Sequence, residues 1–228
     1  KNDVLFKTKA LIGAFIIIYV ITLIIILFLQ NKNKKKIEQI AYVDEITGGK
    51  SFTKFKSDVE RILKNNNSDK YVLVDLDVDK FKYINDIFGY EEGNNVIKFI
   101  WNEINNILET NEVFAHYRAD QFVLLLKAND IDHVIKRMEL LALTSSKRES
   151  RNEKNYEIVL SMGIYPINKK IFQIDTAIDR AEMTKKSIKG KHSKIYAIYD
   201  EKLRQRVLRD QEVENMMERA IKNEEFKV

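Results

Sequence analysis

The run Tyr71–Val78, YVLVDLDV, commits this chain to a sheet and charges one end of it. At the strand period of two, Val72, Val74, Leu76 and Val78 share one face, and Tyr71, Leu73, Asp75 and Asp77 the other. Asp79 extends the second face as the strand ends. Carboxylates stacked this closely repel one another unless a cation or hydrogen-bond donors compensate them. Hard oxygen ligands at the carboxyl end of a strand suit Mg²⁺, which takes one or two carboxylates together with phosphate oxygens. The plain alternative is that Asp79 caps a helix starting near Lys80 while the other carboxylates are solvated.

The continuation favours the first reading. Phe81-Lys82-Tyr83-Ile84-Asn85-Asp86 resembles the FKxIND motif of the GGDEF family, the diguanylate cyclases. Asp77-Val78-Asp79 then stands in place of that family's DxD, and Gly89 and Gly93 in place of its two following glycines. Upstream, Asp44-Glu45-Ile46-Thr47-Gly48 resembles the DxLTG entry motif; downstream, Ser161-Met162-Gly163-Ile164 resembles the SxG strand. Asp179 to Lys186 is a weaker match to the ADxAxYxAK helix. The resemblance runs in order from Asp44 to Asp200.

The resemblance implies roles for individual residues. Asp77 matches the metal-binding aspartate, with the Val78 carbonyl as a backbone ligand, and Asp120 matches the second metal carboxylate, catalytic if the domain is active. Lys82 matches the lysine that meets the nucleotide phosphates, Asn85 the asparagine that reads the guanine edge, and Lys186 the phosphate-binding lysine of the late helix. Asn94 stands where the family has a guanine-reading aspartate. The chemistry is consistent: anionic oxygens for a cation, ammonium groups for phosphates, an amide for a base edge. GTP and Mg²⁺ are the ligand and cofactor so implied.

The departures are equally specific. Where the GGDEF signature has two glycines, this chain has Arg118 and Ala119. Glycine there permits a positive φ in the hairpin turn and lets a triphosphate approach the backbone. A side chain at Arg118 takes that space, and adds about 1–2 kcal/mol if that residue is left-handed. Gln121 stands for the signature glutamate and lacks its charge, and Asn94 offers the base no charged acceptor. After Lys186 the spacing to Gly190 is one residue longer than usual, moving the next cation to Lys191. The RxxD product-inhibition motif is replaced by Glu109 and Glu112, read as a solvated connection between helix and strand. Two carboxylates cannot stand in for an arginine that pairs with phosphate. The pocket reads as that of a degenerate cyclase.

Around this core, Leu11–Leu29 carries no charge and is long enough to cross the ~30 Å hydrocarbon core of a bilayer as a helix. Lys32 to Lys36 follow at once, which places the remainder in the cytoplasm and marks a single-pass inner-membrane protein. That placement of the lysines, and the lack of a basic stripe interleaved with aromatics, counts against a nucleic-acid polymer as the partner of this +5 chain. With no cysteine, disulfides and thiolate metal sites are excluded, and His116, His133 and His192 form no ligand spacing.

The expected organisation is an extracytoplasmic flank over 1–9, a transmembrane helix over 10–30, a linker helix over 31–43, a GGDEF-like domain over 44–200 and a helical linker over 201–228. Because the chain opens on Lys1, a preceding extracytoplasmic part is expected. Glu224-Glu225-Phe226-Lys227-Val228 resembles the first strand of an EAL phosphodiesterase domain, so an attached EAL domain is the expected neighbour. The fold class is α/β: a nucleotidyl-cyclase-like mixed sheet flanked by helices and preceded by one transmembrane helix. Helices are predicted near Ser51–Asn65, Lys80–Phe88, Glu92–Leu108, Ile131–Leu143 and Ile174–Lys189, and strands near Tyr71–Val78, Val113–Tyr117, Gln121–Lys127, Tyr156–Tyr165 and Ile195–Tyr199. Ser145 to Asn155 reads as an exposed loop, and Phe99 and Trp101 as packing residues.

Three functions follow from these residues. The first is a membrane-anchored, degenerate GGDEF module that binds GTP or nothing and regulates an attached EAL phosphodiesterase. The second is an active diguanylate cyclase, joining two GTP molecules across a homodimer into cyclic di-GMP. The third is a dimerisation domain with an empty pocket.

Overall fold

The computed structural model describes residues 2–65, 70–148, 156–167, 173–190 and 194–223; Lys191, His192 and the segment 224–228 lie outside them. The chain divides into two units, 1–43 and 44–228. The first is a single helix, α1 (Asn2–Tyr42). Within it Phe15–Lys32 is long and apolar enough to cross a membrane, and Phe15 to Leu29 leave their side chains largely exposed.

The second unit is built on five strands: β1 (Tyr71–Val78), β2 (Val113–Arg118), β3 (Gln121–Lys127), β4 (Leu160–Pro166) and β5 (Tyr196–Ile198). Their order across the sheet is β2-β3-β1-β4-β5. β1 is flanked on both sides by antiparallel neighbours, β3 and β4, while β5 joins β4 in parallel. A central strand must be satisfied on both faces, and every residue of β1 is buried. The predicted strand over Tyr156–Tyr165 begins later, at Leu160, and includes Pro166 as its last residue. Proline is tolerated there because a strand end needs no further amide donor.

Among the described residues, six helices complete the unit: α2 (Phe52–Asn65), α3 (Phe81–Phe88), α4 (Tyr90–Ile107), α5 (Ile131–Ser146), α6 (Ile174–Lys186) and α7 (Glu201–Lys222). The even-numbered face of β1, Val72 to Val78, packs with Val96, Ile97, Ile100 and Ile104 of α4 and Val134, Met138 and Leu141 of α5. Tyr71 and Leu73 on the opposite face pack with Phe55, Val59 and Ile62 of α2 and with Ile174, Ala177, Ile178 and Ala181 of α6. The apolar stripes of α4 and α6 recur at helical spacing, which is why each lies along the sheet. Phe99 and Trp101 pack against the first cluster, as expected.

Two expectations for connecting segments are corrected. Glu112 is not solvated. Its carboxylate is buried, accepts hydrogen bonds from the Glu109 and Lys127 amides at 2.8 Å, and pairs with Arg137 of α5 at 2.5 Å. A turn that buries a carboxylate this way needs a cation from another element, and that partner is 25 residues away in sequence. Glu109 alone remains exposed, with His133 at 2.9 Å. Likewise, the start of the predicted loop at Ser145 is not exposed: α5 continues through Ser146, Ser145 is buried, and Arg148 lies 3.3 Å from Glu92 and 3.1 Å from the Tyr156 hydroxyl.

Candidate functional site

The site is assembled where β1 ends, the β2–β3 hairpin turns and α6 finishes. Register explains its first contact. Gln121 lies directly opposite Asp77 across the β1–β3 pairing, so their side chains share one face. The Gln121 amide donates to Asp77 at 3.2 Å. Asp120 lies in the turn itself, near enough to Asp77 for that carboxylate's charge to act on it. Burial, followed by the Asp77 charge, pushes the Asp120 carboxyl up to about 6. Burial works against ionisation at Asp77 as well, but hydrogen bonds from Lys189 and the charges of Lys185 and Lys189 outweigh it and hold that carboxyl below its usual range.

The hairpin closes on itself. Arg118 donates through Nε to Gln121 at 2.8 Å and reaches Glu182 of α6 at 3.3 Å, with its guanidinium 4.8 Å from the Tyr117 ring centroid. The left-handed residue of the turn is Ala119, at φ 48°, rather than Arg118. That conformation costs an L-residue with a Cβ about 1–2 kcal/mol. Ala119→Gly is therefore expected to stabilise the domain by about 1 kcal/mol, a rise of roughly 2–4 °C in thermal midpoint by calorimetry. An unchanged midpoint would show that the turn relaxes.

The helices after β1 carry the predicted nucleotide residues. Gly89, at φ 87°, ends α3 and starts α4 within one residue. This folds Asn85 of α3 onto Gly93 of α4, where an added Cβ would lie 1.9 Å from the Asn85 Oδ1. A side chain at Gly93 would therefore push Asn85 aside. Lys82 and Asn94 are exposed on α3 and α4. Asp79 does not cap α3; it accepts from Ser161 at 2.8 Å, and Lys80 takes the cap position with φ 56°. Asp44 accepts from the Thr47 amide and hydroxyl at 2.8 and 2.7 Å, and lies 2.9 Å from the buried His116.

Lys186 is placed away from Asp77, 66% exposed and 2.9 Å from Glu182. The lysines at Asp77 are its neighbours. Lys189 lies 2.8 and 2.9 Å from the two oxygens of Asp77, and Lys185 lies 3.3 Å from Asp77 and 3.0 Å from Asp75. Sequence reasoning missed both. The available signal was their spacing of four, which puts Lys185 and Lys189 on one side of a helical turn, next to a strand bearing Asp75 and Asp77 two residues apart. Asp75 itself is pushed up to about 6 by burial, with Lys185 pulling the other way.

This geometry meets a clear match among known proteins. Residues 41–194 match the family described as Diguanylate cyclase, GGDEF domain. The chain belongs to the GGDEF family. It is similar to diguanylate cyclase DgcM of Escherichia coli K12, 21% identical over 154 residues, which cover 67% of this chain and 38% of that one. The chain thus spans well under half of that relative's length. Its fold is that of the coiled-coil and GGDEF structure of DgcB from Caulobacter crescentus in complex with c-di-GMP, at a TM-score of 0.65 and 18% identity over 76% of this chain and 93% of the other. The Vibrio cholerae LapD S helix-GGDEF-EAL structure, bound to c-di-GMP, matches at a TM-score of 0.62 and 16% identity over 87% of this chain and 46% of that one. This GGDEF domain accordingly has its place in cyclic di-GMP signalling.

GGDEF domains generally use Mg²⁺ with GTP. The donor chemistry fits that ion: Asp77 and Asp120 offer hard carboxylate oxygens, and the Lys189 ammonium, 2.8 and 2.9 Å from the two oxygens of Asp77, supplies positive charge at the same place.

Proposed function

We propose that this chain is a membrane-anchored, degenerate GGDEF module that binds GTP and regulates an attached EAL phosphodiesterase. The observation that carries the degenerate part of this reading is the closed hairpin, in which Arg118 is held by Gln121 and Glu182 while Gln121 is held by Asp77. Side chains that replace the signature satisfy one another across the space that a triphosphate needs. Asp77, Asp120 and the Val78 carbonyl would hold Mg²⁺, which when bound neutralises phosphate charge. Asn85 and Asn94 would read the base, and Lys82 and Lys186 would meet the phosphates. The long apolar helix with lysines after it supports anchoring with the domain on the cytoplasmic side. The likeness to an S helix-GGDEF-EAL protein supports the attached phosphodiesterase and α7 as the connector. A homodimer is the expected assembly.

Calorimetric titration of the full chain in detergent with GTP tests the pocket. Binding is expected to require Mg²⁺ and to fall at least about tenfold in Asp77→Ala, because a two-carboxylate site loses half of the charge that holds a hard cation. Equal affinity in chelator would argue for a metal-free pocket. In the longer protein, GTP is expected to raise cyclic di-GMP hydrolysis; GTP-independent hydrolysis would remove the regulatory role. One observation favours the second reading, an active cyclase: both predicted metal carboxylates are kept, and the charge of Asp77 acts on Asp120.

A further inference from the structure

Lys185 is the least accessible lysine side chain of the site. It is 1% exposed, as is the side chain of Asp77, and that of Asp75 is 2% exposed. Its position is fixed by the backbone. Gly163 of β4 lies opposite Asp75 in the sheet, and a Cβ there would stand 2.0 Å from the Ala181 carbonyl oxygen and 2.6 Å from the Lys185 amide. Only a bare backbone at Gly163 lets α6 settle this close to β1. The Lys185 ammonium then has one direction to take, across the sheet surface toward Asp75 and the tip of β1. It reaches both carboxylates at ion-pair distance, yet among the described residues neither it nor Asp75 Oδ1 has a well-aligned hydrogen bond. An ammonium with unused donors, enclosed and aimed at Asp77, is a countercharge that solvent cannot remove. Lys189 differs, because it is 45% exposed and free to swing into water.

We propose that Lys185, carried by Asp75, is a built-in cation that weakens divalent-metal binding at the Asp77–Asp120 carboxylates. A metal ion entering beside Asp77 displaces the Lys189 ammonium but must remain next to that of Lys185, at a distance where like charges repel strongly in a buried setting. The proposal rests on the assignment of Asp77 and Asp120 as the carboxylate pair, and is tested without nucleotide so that failure of GTP recognition leaves it open to measurement.

The probe is Mn²⁺ alone, titrated into the full chain in detergent and followed by calorimetry and by loss of the free-ion paramagnetic signal. The double variant Asp75→Leu with Lys185→Met removes both buried charges together, a replacement that is often neutral or stabilising. It is expected to bind Mn²⁺ at least about tenfold more tightly than the unmutated chain. Asp75→Asn with Lys185→Gln, which keeps both side-chain lengths and drops both charges, is expected to shift in the same direction and serves if the apolar double variant does not fold. Adding Asp77→Asn should abolish the gain. Half-saturation at the same Mn²⁺ concentration with and without the Lys185 charge overturns the proposal, as does a gain that survives Asp77→Asn.

Discussion

Incubated with GTP and Mg²⁺, the full chain is expected to yield no cyclic di-GMP detectable by chromatography. Phosphoryl transfer depends on placing charge and reactants, and removing one such group typically costs about 10²–10³ in rate. Here several positions depart at once. Arg118 occupies the hairpin mouth and is tied across it to Glu182, and Gln121 offers Asp77 an amide instead of adding a carboxylate. Arg118→Gly with Ala119→Gly is expected to improve GTP binding, since it opens the turn and releases Glu182. Full activity should not return while Gln121 and Asn94 remain. Robust product from the unmutated protein would sink this expectation and favour the active cyclase.

The largest effect on stability is expected away from the site. Glu112 and Arg137 form a buried pair at 2.5 Å, and Arg137 also donates to the Ile107 carbonyl at 2.6 Å. Arg137→Ala strands a carboxylate inside the protein, and breaking one side of such a pair typically costs about 3–5 kcal/mol. For a domain of this size that lowers the thermal midpoint by roughly 10 °C. Glu112→Leu with Arg137→Met should recover much of the loss, because it removes the uncompensated charge along with its partner. A single variant melting within a degree or two of the unmutated protein would mean that solvent reaches Glu112.

Local pattern carried the architecture well. The period of two in YVLVDLDV placed β1 to the residue, and the pairing of β2 with β3 follows from the short turn between Arg118 and Gln121. The order of motifs was enough to identify the family. What stayed illegible depended on contacts between distant segments. Glu112 looks solvated until Arg137 arrives from α5, and Ser145 looks like loop until α5 is seen to continue past it. Lys185 stayed out of view because a motif counts positions, whereas the direction of a side chain on α6 is decided by how closely Gly163 lets the helix approach. The left-handed turn residue was likewise a matter of hairpin register, which fell on Ala119.

The Asp75–Lys185 pair also constrains the history open to this sequence. Changing Lys185 alone leaves the buried Asp75 without its cation, and changing Asp75 alone leaves an enclosed ammonium with half its compensation. Either single step passes through a protein less stable than both the charged pair and an apolar replacement. The two positions are therefore separated from an uncharged alternative by a valley that single substitutions must cross. A lineage that has acquired both residues keeps them by this barrier, whether or not selection still acts on the nucleotide pocket beside them.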